Sequence, residues 1–206
     1  MTSILDYRIL PVLVIRDASL TSDLARVLID SGLPLVEVTL RTDESWSALE
    51  ALVKTQELTV GIGSVSQESE LRRALDLGVK FAVSPGFSPE LFSIAQQLEI
   101  EYIPGVATPS EILNASRMGA QNLKWFPAKA LGGVPALRAA SAPFPKISFI
   151  PTGGLDLSSA LEFLKEPNVR QVGGSWMMKE EWLAKRDFAA ISKSITESLA
   201  RIKSEI

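Results

Sequence analysis

Short apolar stretches rich in β-branched residues alternate with longer segments of helical periodicity along almost the whole chain. Eight such stretches are present, and they are Ile9–Ile15, Leu35–Leu40, Leu58–Ile62, Phe81–Val83, Glu101–Ile103, Asn122–Trp125, Ile147–Ile150 and Val169–Val172. Most are continuously apolar rather than alternating, which predicts parallel strands that are covered on both faces. The segments between them carry apolar residues at i, i+3 and i+4, a pattern typical of amphipathic helices.

A polar or glycine residue follows almost every predicted strand, at intervals of 19 to 30 residues. These residues are Arg16, Arg41, Gly63, Gly86, Gly105, Lys124, Gly154 and Gly174. Each interval has room for one strand, one helix and two tight loops. We therefore predict an α/β fold in which residues 1–206 form a single-domain (β/α)8 TIM barrel, with an open doubly wound sheet as the structural alternative.

Several helix starts are marked by capping residues. Thr108-Pro109-Ser110-Glu111 is a capping box with proline at the first helical position. Ser88-Pro89 also places proline at the first helical position, after a capping serine. Thr42-Asp43-Glu44 predicts a further helix start, with its carboxylates in the first turn. Beyond Lys179 the pattern predicts either one long helix or a short helix followed by a long one.

The absence of cysteine and histidine excludes several kinds of chemistry. There is no thiolate nucleophile, no imidazole base, no Ser–His–Asp triad and no Cys- or His-based metal site. The 21 basic and 24 acidic residues leave no positive excess for binding nucleic acid. The apolar runs are too short to span a bilayer and no signal peptide is visible, so we expect a cytoplasmic protein without a membrane partner.

Two lysines are separated by their positions relative to the predicted strands. Catalytic side chains of a barrel lie at the carboxyl ends of its strands. Lys80 precedes a strand, whereas Lys124 lies near the end of one, among large apolar residues that disfavour its charged form. A neutral amine there could form a Schiff base with a carbonyl substrate. The alternative is a structural lysine whose stem packs while its head reaches the surface.

A polar face runs along the predicted second strand. Glu37, Thr39 and Arg41 share one side of this strand by alternation. Inside a barrel mouth they would provide a desolvated carboxylate and a guanidinium that binds anions. The alternative is that Glu37 and Arg41 form a buried structural ion pair.

Glycine-rich loops follow the last two predicted strands, at Pro151-Thr152-Gly153-Gly154 and Gly173-Gly174-Ser175. Bare backbone N–H groups at this place in a barrel can hold a phosphate. The alternative is that these glycines only permit positive φ angles in tight turns. No nucleotide-binding motif follows a strand and the carboxylates do not cluster, so we expect neither a cofactor nor a metal.

Seven motifs occur in an order that resembles one known family. They are Leu-Val-Glu-Val-Thr-Leu-Arg-Thr at 35–42, Gly-Ile-Gly-Ser-Val at 61–65, Ser-Pro-Gly at 84–86, Ile-Pro-Gly-Val-Ala-Thr-Pro-Ser-Glu at 103–111, Leu-Lys-Trp-Phe-Pro-Ala at 123–128, Pro-Thr-Gly-Gly at 151–154 and Gly-Gly-Ser-Trp at 173–176. The chain resembles the 2-keto-3-deoxy-6-phosphogluconate (KDPG) and 4-hydroxy-2-oxoglutarate (KHG) aldolases. The resemblance runs from about Ile9 to the C-terminal helix.

The resemblance implies a (β/α)8 barrel, usually a homotrimer, that splits a small 2-keto-4-hydroxy acid into pyruvate and an aldehyde without metal or cofactor. By motif, the resemblance implies that Lys124 is the Schiff-base lysine and Glu37 the general acid and base, and that Arg41 and Ser64 bind the substrate carboxylate. It implies further substrate contacts that bear on stereoselectivity, at Thr152, Pro85 and Phe126. The phosphate loops that it implies are formed by Gly153, Gly154, Gly174 and Ser175. Ser64 stands where the family has threonine. Trp125 and Lys129 replace the usual phenylalanine and glutamate.

We expect the substrate to be KDPG, cleaved to pyruvate and glyceraldehyde 3-phosphate. Two alternatives lie in the same class, namely cleavage of KHG to pyruvate and glyoxylate, and cleavage of the phosphogalactonate epimer. An alternative from another class is a non-catalytic barrel that binds a sugar phosphate, which the fold alone would permit.

Overall fold

The computed structural model describes residues 4–206, in which short strands alternate with helices. The strands are β1 (Ile9–Leu13), β2 (Leu35–Thr39), β3 (Thr59–Gly63), β4 (Phe81–Val83), β5 (Glu101–Ile103), β6 (Gly105–Val106), β7 (Asn122–Trp125), β8 (Ser148–Pro151) and β9 (Val172–Gly174). The helices are α1 (Thr21–Asp30), α2 (Ser45–Leu52), α3 (Glu68–Leu77), α4 (Pro89–Gln97), α5 (Pro109–Arg117), α6 (Gly133–Ser141), α7 (Leu157–Leu164), α8 (Glu180–Ala184) and α9 (Phe188–Glu205). Two short 3-10 helices, Ile4–Asp6 and Ala18–Leu20, flank β1.

Within the described residues, every strand pairing is parallel. Six strands form one sheet in the order β5-β4-β3-β2-β1-β9, and β6-β7-β8 form a second sheet. The ladder between β2 and β3 runs from Leu35↔Thr59 to Thr39↔Gly63. Parallel neighbours need a crossover between them, which the helices supply.

The predicted α/β class and the parallel arrangement of the strands are confirmed. Together the strands form a curled parallel arrangement. The fifth predicted strand, Glu101–Ile103, continues past Pro104 as β6, which belongs to the second sheet. At the other side, single bridges Phe149↔Val169 and Thr152↔Gly173 connect β8 with the chain around β9. The hydrogen-bonded ladder is therefore not continuous around eight strands, and full closure of the predicted barrel stays a prediction.

The predicted bounds of the last strand, Val169–Val172, are wrong, because β9 begins only at Val172. The residue just before it, Gln171, is fully buried, and its amide donates hydrogen bonds to the carbonyls of Ile4 and Tyr7 at 2.7 and 2.9 Å. The last strand therefore starts after a segment that fastens the N-terminal 3-10 helix.

The core has two parts. The larger part packs the outer face of the sheets against the helices. The smaller part consists of Ile4, Leu10, Leu35, Phe81, Val83, Ile103 and Ile150. Leu35 and Glu37 share a face of β2, so Glu37 stands directly beyond this smaller cluster, towards the carboxyl ends of the strands.

The helix starts agree in part with the sequence. Thr108 and Glu111 form the predicted capping box, and Ser88 caps α4 through the backbone N–H of Leu91. In contrast, α2 begins at Ser45 rather than in the segment from Thr42, because the Thr42 hydroxyl bonds to the Ile15 carbonyl and the Ser45 hydroxyl. The tail forms a short helix followed by a long one, which is the second of the two predicted alternatives.

None of the helices within residues 4–206 is both long enough and apolar enough to cross a membrane.

Candidate active site

Lys124 and Glu37 meet inside the curled sheet although 87 positions separate them in the sequence. Lys124 is the third residue of β7 and Glu37 is the third residue of β2. The Lys124 ammonium donates a hydrogen bond to Glu37 Oε1 at 3.2 Å. The Lys124 side chain is 5% exposed and that of Glu37 is not exposed at all. Lys124 therefore does not reach the surface as the alternative interpretation required, and Glu37 pairs with Lys124 rather than with Arg41.

The second carboxylate oxygen of Glu37 has no hydrogen-bond partner within the described part of the chain. Leaving a buried charged oxygen unpaired costs free energy, and structures seldom keep such an atom without reason. One oxygen of the same carboxylate is held by the amine and the other is available. Such a group can take a proton from one partner and give it to another.

Gly63 creates the space in which this carboxylate lies. A β-carbon at Gly63 would overlap Glu37 Oε1, the same oxygen that accepts the hydrogen bond from Lys124. Gly63 ends β3 and stands opposite Thr39 of β2 in the ladder. The sequence motifs did not predict this role for Gly63, although a glycine inside a strand is itself a signal of close approach.

Arg41 and Ser64 lie together at the rim, just beyond Glu37 and Gly63 in the chain. The Arg41 Nε donates to Ser64 Oγ at 3.0 Å, and Arg41 is exposed. Ser64 has a φ of 64°, in the left-handed region that residues other than glycine seldom adopt. Such strained positions concentrate at binding and catalytic sites. The pair presents a guanidinium beside a hydroxyl, which suits an anionic group of a ligand.

Phe126, one of the predicted substrate contacts, lies close to Lys124. The centre of the Phe126 ring is 5.2 Å from the Lys124 Nζ. A β-carbon at Gly153 would touch this ring, which places the loop after β8 beside it. Thr152 is buried, and its hydroxyl donates to the Ile150 carbonyl at 3.2 Å.

Pro85 approaches the same region from β4. Gly105 stands opposite Lys124 in the ladder between β6 and β7, and a β-carbon at Gly105 would overlap the Pro85 carbonyl. The exposed Pro85 is thus held one strand away from Lys124.

The four predicted phosphate-loop residues lie in the loop after β8 and at the end of β9. Gly153 and Gly154 have φ angles of 102° and 74°, which only glycine adopts readily. Gly174 ends β9, and the Trp176 ring occupies the space that its side chain would fill. Ser175 follows and is exposed. Conformation and packing thus already account for these glycines, and phosphate binding stays a prediction.

Two residues that depart from the family pattern have different surroundings. Trp125 is buried in the larger part of the core, on the side of the sheet away from Lys124. Its indole N–H has no hydrogen-bond partner among the described residues. Lys129 lies over the loop after β8, where its backbone N–H donates to the Gly153 carbonyl at 3.2 Å. Its ammonium is 3.9 Å from Asp156 Oδ2.

No group of three or more carboxylates that could hold a metal ion occurs in the described range, residues 4–206.

Comparison with known proteins identifies relatives over nearly the whole chain. The family model described as KDPG and KHG aldolase matches residues 2–194. The 2-dehydro-3-deoxy-phosphogluconate aldolase of Pseudoalteromonas atlantica is 36% identical over 193 residues, which cover 93% of this chain and 90% of that protein. The enzyme of the same name from Pseudomonas aeruginosa is 38% identical over 197 residues, which cover 95% of this chain and 90% of that protein.

A crystal structure of KDPG aldolase from Legionella pneumophila has a similar fold. It superposes with a TM-score of 0.90 and 38% sequence identity, and the match covers 93% of each chain. That structure contains pyruvate captured at low pH as a covalent carbinolamine intermediate.

Proposed function

This chain belongs to the KDPG and KHG aldolase family, and we propose that it cleaves 2-dehydro-3-deoxy-6-phosphogluconate to pyruvate and glyceraldehyde 3-phosphate through a Schiff base on Lys124. The observation that carries the proposal is the buried contact of 3.2 Å between the Lys124 amine and the Glu37 carboxylate. The covalent carbinolamine of pyruvate in the Legionella protein supports a lysine mechanism, because an amine and a 2-keto acid form that adduct.

The first half of the reaction joins substrate and enzyme. The ammonium of Lys124 gives a proton to Glu37 and becomes a nucleophile, which attacks the C2 ketone of the substrate. The resulting carbinolamine loses its hydroxyl as water, for which Glu37 returns the proton. The product is a protonated imine, whose positive nitrogen can accept the electron pair of a neighbouring bond.

The second half breaks the bond between C3 and C4. Glu37 removes the proton of the C4 hydroxyl while the electron pair of that bond moves towards the imine nitrogen. Glyceraldehyde 3-phosphate leaves, and the enamine that remains takes a proton at C3. Water then hydrolyses the imine, which frees pyruvate and the Lys124 amine. Proton transfer by a positioned carboxylate contributes about 10²–10⁴-fold in rate.

Arg41 and Ser64 hold the substrate carboxylate in this proposal. A guanidinium can bind a carboxylate with two parallel hydrogen bonds, which fixes the keto acid next to the lysine. Pro85, Phe126 and Thr152 contact the rest of the carbon skeleton. Gly153, Gly154, Gly174 and Ser175 hold the distal phosphate, because the loops after β8 and β9 lie side by side.

The proposal extends to the whole molecule. We infer that the two sheets close into one eight-stranded barrel that forms a single domain over residues 1–206. Support comes from the single bridges Phe149↔Val169 and Thr152↔Gly173, which connect the chain around β8 with the chain around β9, and from the shortness of the break at Pro104. By its family we also propose a homotrimer in the cytoplasm that uses neither metal nor cofactor.

Cleavage of KHG is the second candidate, since the family whose model matches includes KHG aldolases. A binding protein without catalysis is a weaker explanation, because burying an amine against a carboxylate costs free energy and serves no purpose in recognising a sugar phosphate.

Reductive trapping tests the proposed mechanism. Incubation with pyruvate and borohydride should attach one reduced pyruvyl group, and peptide mapping should locate it on Lys124. The reaction needs the imine, so it reports the proposed intermediate directly. The assay of pyruvate release from KDPG should give the same activity with and without a chelator.

Lys80→Ala serves as the matched control, because Lys80 is an exposed lysine at the start of β4. This variant should be trapped like the wild type, and Lys124→Ala should give no adduct at position 124. An adduct on Lys80 or Lys129 would contradict the assignment, and a protein that forms no adduct would favour a binding role.

A further inference from the structure

We infer that Lys129 is a specificity-determining residue. Its ammonium breaks the ion pair with Asp156 and itself binds the distal phosphate of the substrate. This inference rests on the proposed function, since it concerns the substrate of the same site. It assigns the preference for a phosphorylated keto acid to one exposed ammonium in addition to the glycine loops.

The loop after β8 fixes the position of Lys129. Its backbone N–H donates to the Gly153 carbonyl at 3.2 Å. Its side-chain stem runs along the next residue, since a β-carbon at Gly154 would lie 3.1 Å from the Lys129 Cβ. The Lys129 side chain therefore lies beside the loop that binds the phosphate in the proposed function. A lysine has a flexible four-carbon stem, so its charge can reach several points above this loop.

Asp156 is held as a carboxylate at the end of the same loop. It caps α7, where its Oδ1 accepts hydrogen bonds at 2.8 Å from the Ser159 N–H and the Ser159 hydroxyl. These bonds from Ser159, with a smaller contribution from the charge of Lys129, lower the pKa of Asp156 below its ordinary value. The Oδ2 atom is the one that faces Lys129.

The ion pair between these residues is weak enough to be exchanged. Its two atoms are 3.9 Å apart, and the side chains are 63% and 62% exposed. Ion pairs so exposed contribute little to stability, because water screens the attraction. A phosphate near pH 7 carries a charge of about −1.5 to −2 and three acceptor oxygens. It is therefore a better partner for the ammonium than a single carboxylate oxygen.

A second explanation would give Lys129 an indirect role. Asp156 lies near the proposed phosphate loop and would repel a phosphate, so Lys129 could act merely by neutralising this carboxylate. The two explanations differ in one respect. If Lys129 acts only on Asp156, it becomes dispensable once that carboxylate is gone.

The experiment measures kcat/KM for KDPG and for KHG in the wild type, Lys129→Met, Asp156→Asn and the double variant. Asparagine is also a good N-cap, so Asp156→Asn preserves the start of α7. Lys129→Met should lower the ratio of the two specificity constants (KDPG over KHG) by about tenfold, the loss expected for one charge-assisted hydrogen bond. Asp156→Asn should raise this ratio by about twofold, because Lys129 no longer has to break an ion pair before it binds the phosphate.

The double variant decides between the two explanations. Its ratio should stay about tenfold below that of the wild type, because the ammonium itself is missing. A return to the wild-type ratio would overturn the inference and leave Lys129 as a neutralising charge only. An unchanged ratio in Lys129→Met would overturn it as well.

Lys179→Met is the matched control for charge. Lys179 is an exposed lysine near Ser175 in the chain, but its ammonium lies over the Trp182 ring, 4.7 Å from the ring centre. This variant should keep the wild-type ratio, and an equal fall in both lysine variants would show that only the overall positive potential matters. Trapping with pyruvate separates the two proposals. A wild type without an adduct on Lys124 refutes the Schiff base, whereas an adduct with an unaltered ratio in Lys129→Met refutes only the role of Lys129.

Discussion

The two oxygens of the Glu37 carboxylate have different surroundings, and Glu37→Gln separates its chemical role from a structural one. Oε1 accepts the hydrogen bond from Lys124, and Oε2 has no partner in the described chain. Glutamine keeps an oxygen for the ammonium but cannot shuttle protons. We expect pyruvate release from KDPG to fall by about 10²-fold or more.

Stability should change less than activity in this variant. Removing one partner of a buried ion pair outright costs about 3–5 kcal/mol, because the other charge is left alone. The glutamine oxygen still accepts a hydrogen bond, so the loss in the free energy of unfolding should stay below that range in a urea titration. A variant that is strongly destabilised yet turns over normally would identify the pair as structural.

At the level of single residues, the sequence predicted which side chains stand at the strand ends but not how they pair. Lys124 and Glu37 were both candidates, because each lies near the carboxyl end of a predicted strand. Their mutual contact depends on bringing β2 and β7 to facing sides of the curled sheet, and no local pattern encodes that. Glu37 and Arg41 were the neighbours in sequence, whereas Arg41 bonds to Ser64 across strands.

At the level of elements, β3 offers a comparison between two of its glycines. A β-carbon at Gly61 would overlap the Phe81 ring in the smaller part of the core, and a β-carbon at Gly63 would overlap Glu37 Oε1. Alanine at either position should destabilise the protein by about 1–3 kcal/mol, the usual effect of overpacking. Thermal unfolding of the two variants tests this.

Only Gly63→Ala should also lower kcat beyond its effect on folding. Moving the carboxylate by about 1 Å can cost up to about 10²-fold in rate, because the proton transfer needs exact alignment. Gly61→Ala should keep near-normal turnover per folded molecule at low temperature. Equal activities of the two folded variants would show that Gly63 serves packing alone.

Local signals predicted elements well where nothing distant competed with them. The capping residues Thr108 and Ser88 begin α5 and α4 as expected, since such a cap needs only a few consecutive residues. Thr42 does not begin a helix, because its hydroxyl bonds to the carbonyl of Ile15, two residues beyond β1. The apolar pattern begins the last strand too early, because the buried Gln171 just before it hydrogen-bonds to the N-terminal 3-10 helix.

At the level of the whole molecule, the site exists only because several loops meet at one end of the sheets. The alternation of strands and helices predicted this arrangement, since the carboxyl ends of parallel strands lie on the same side. It did not predict the break at Pro104 or the single bridges beside β9. These depend on how far each strand stays in register with its neighbour, which apolar periodicity does not specify.

Ser175→Asp tests whether the loops after β8 and β9 together form a phosphate site. Ser175 is exposed directly after β9, and Thr152 bridges to Gly173, so the two loops lie side by side. Binding energy from a remote phosphate can orient the reacting carbons, so a real site should affect turnover as well as affinity. We expect the wild type to have a higher kcat/KM for KDPG than for KHG. A carboxylate at position 175 would repel the phosphate, so this variant should lose at least about tenfold more kcat/KM on KDPG than on KHG. Equal losses on both substrates, or a wild type that prefers KHG, would mean that these glycines serve only the turns.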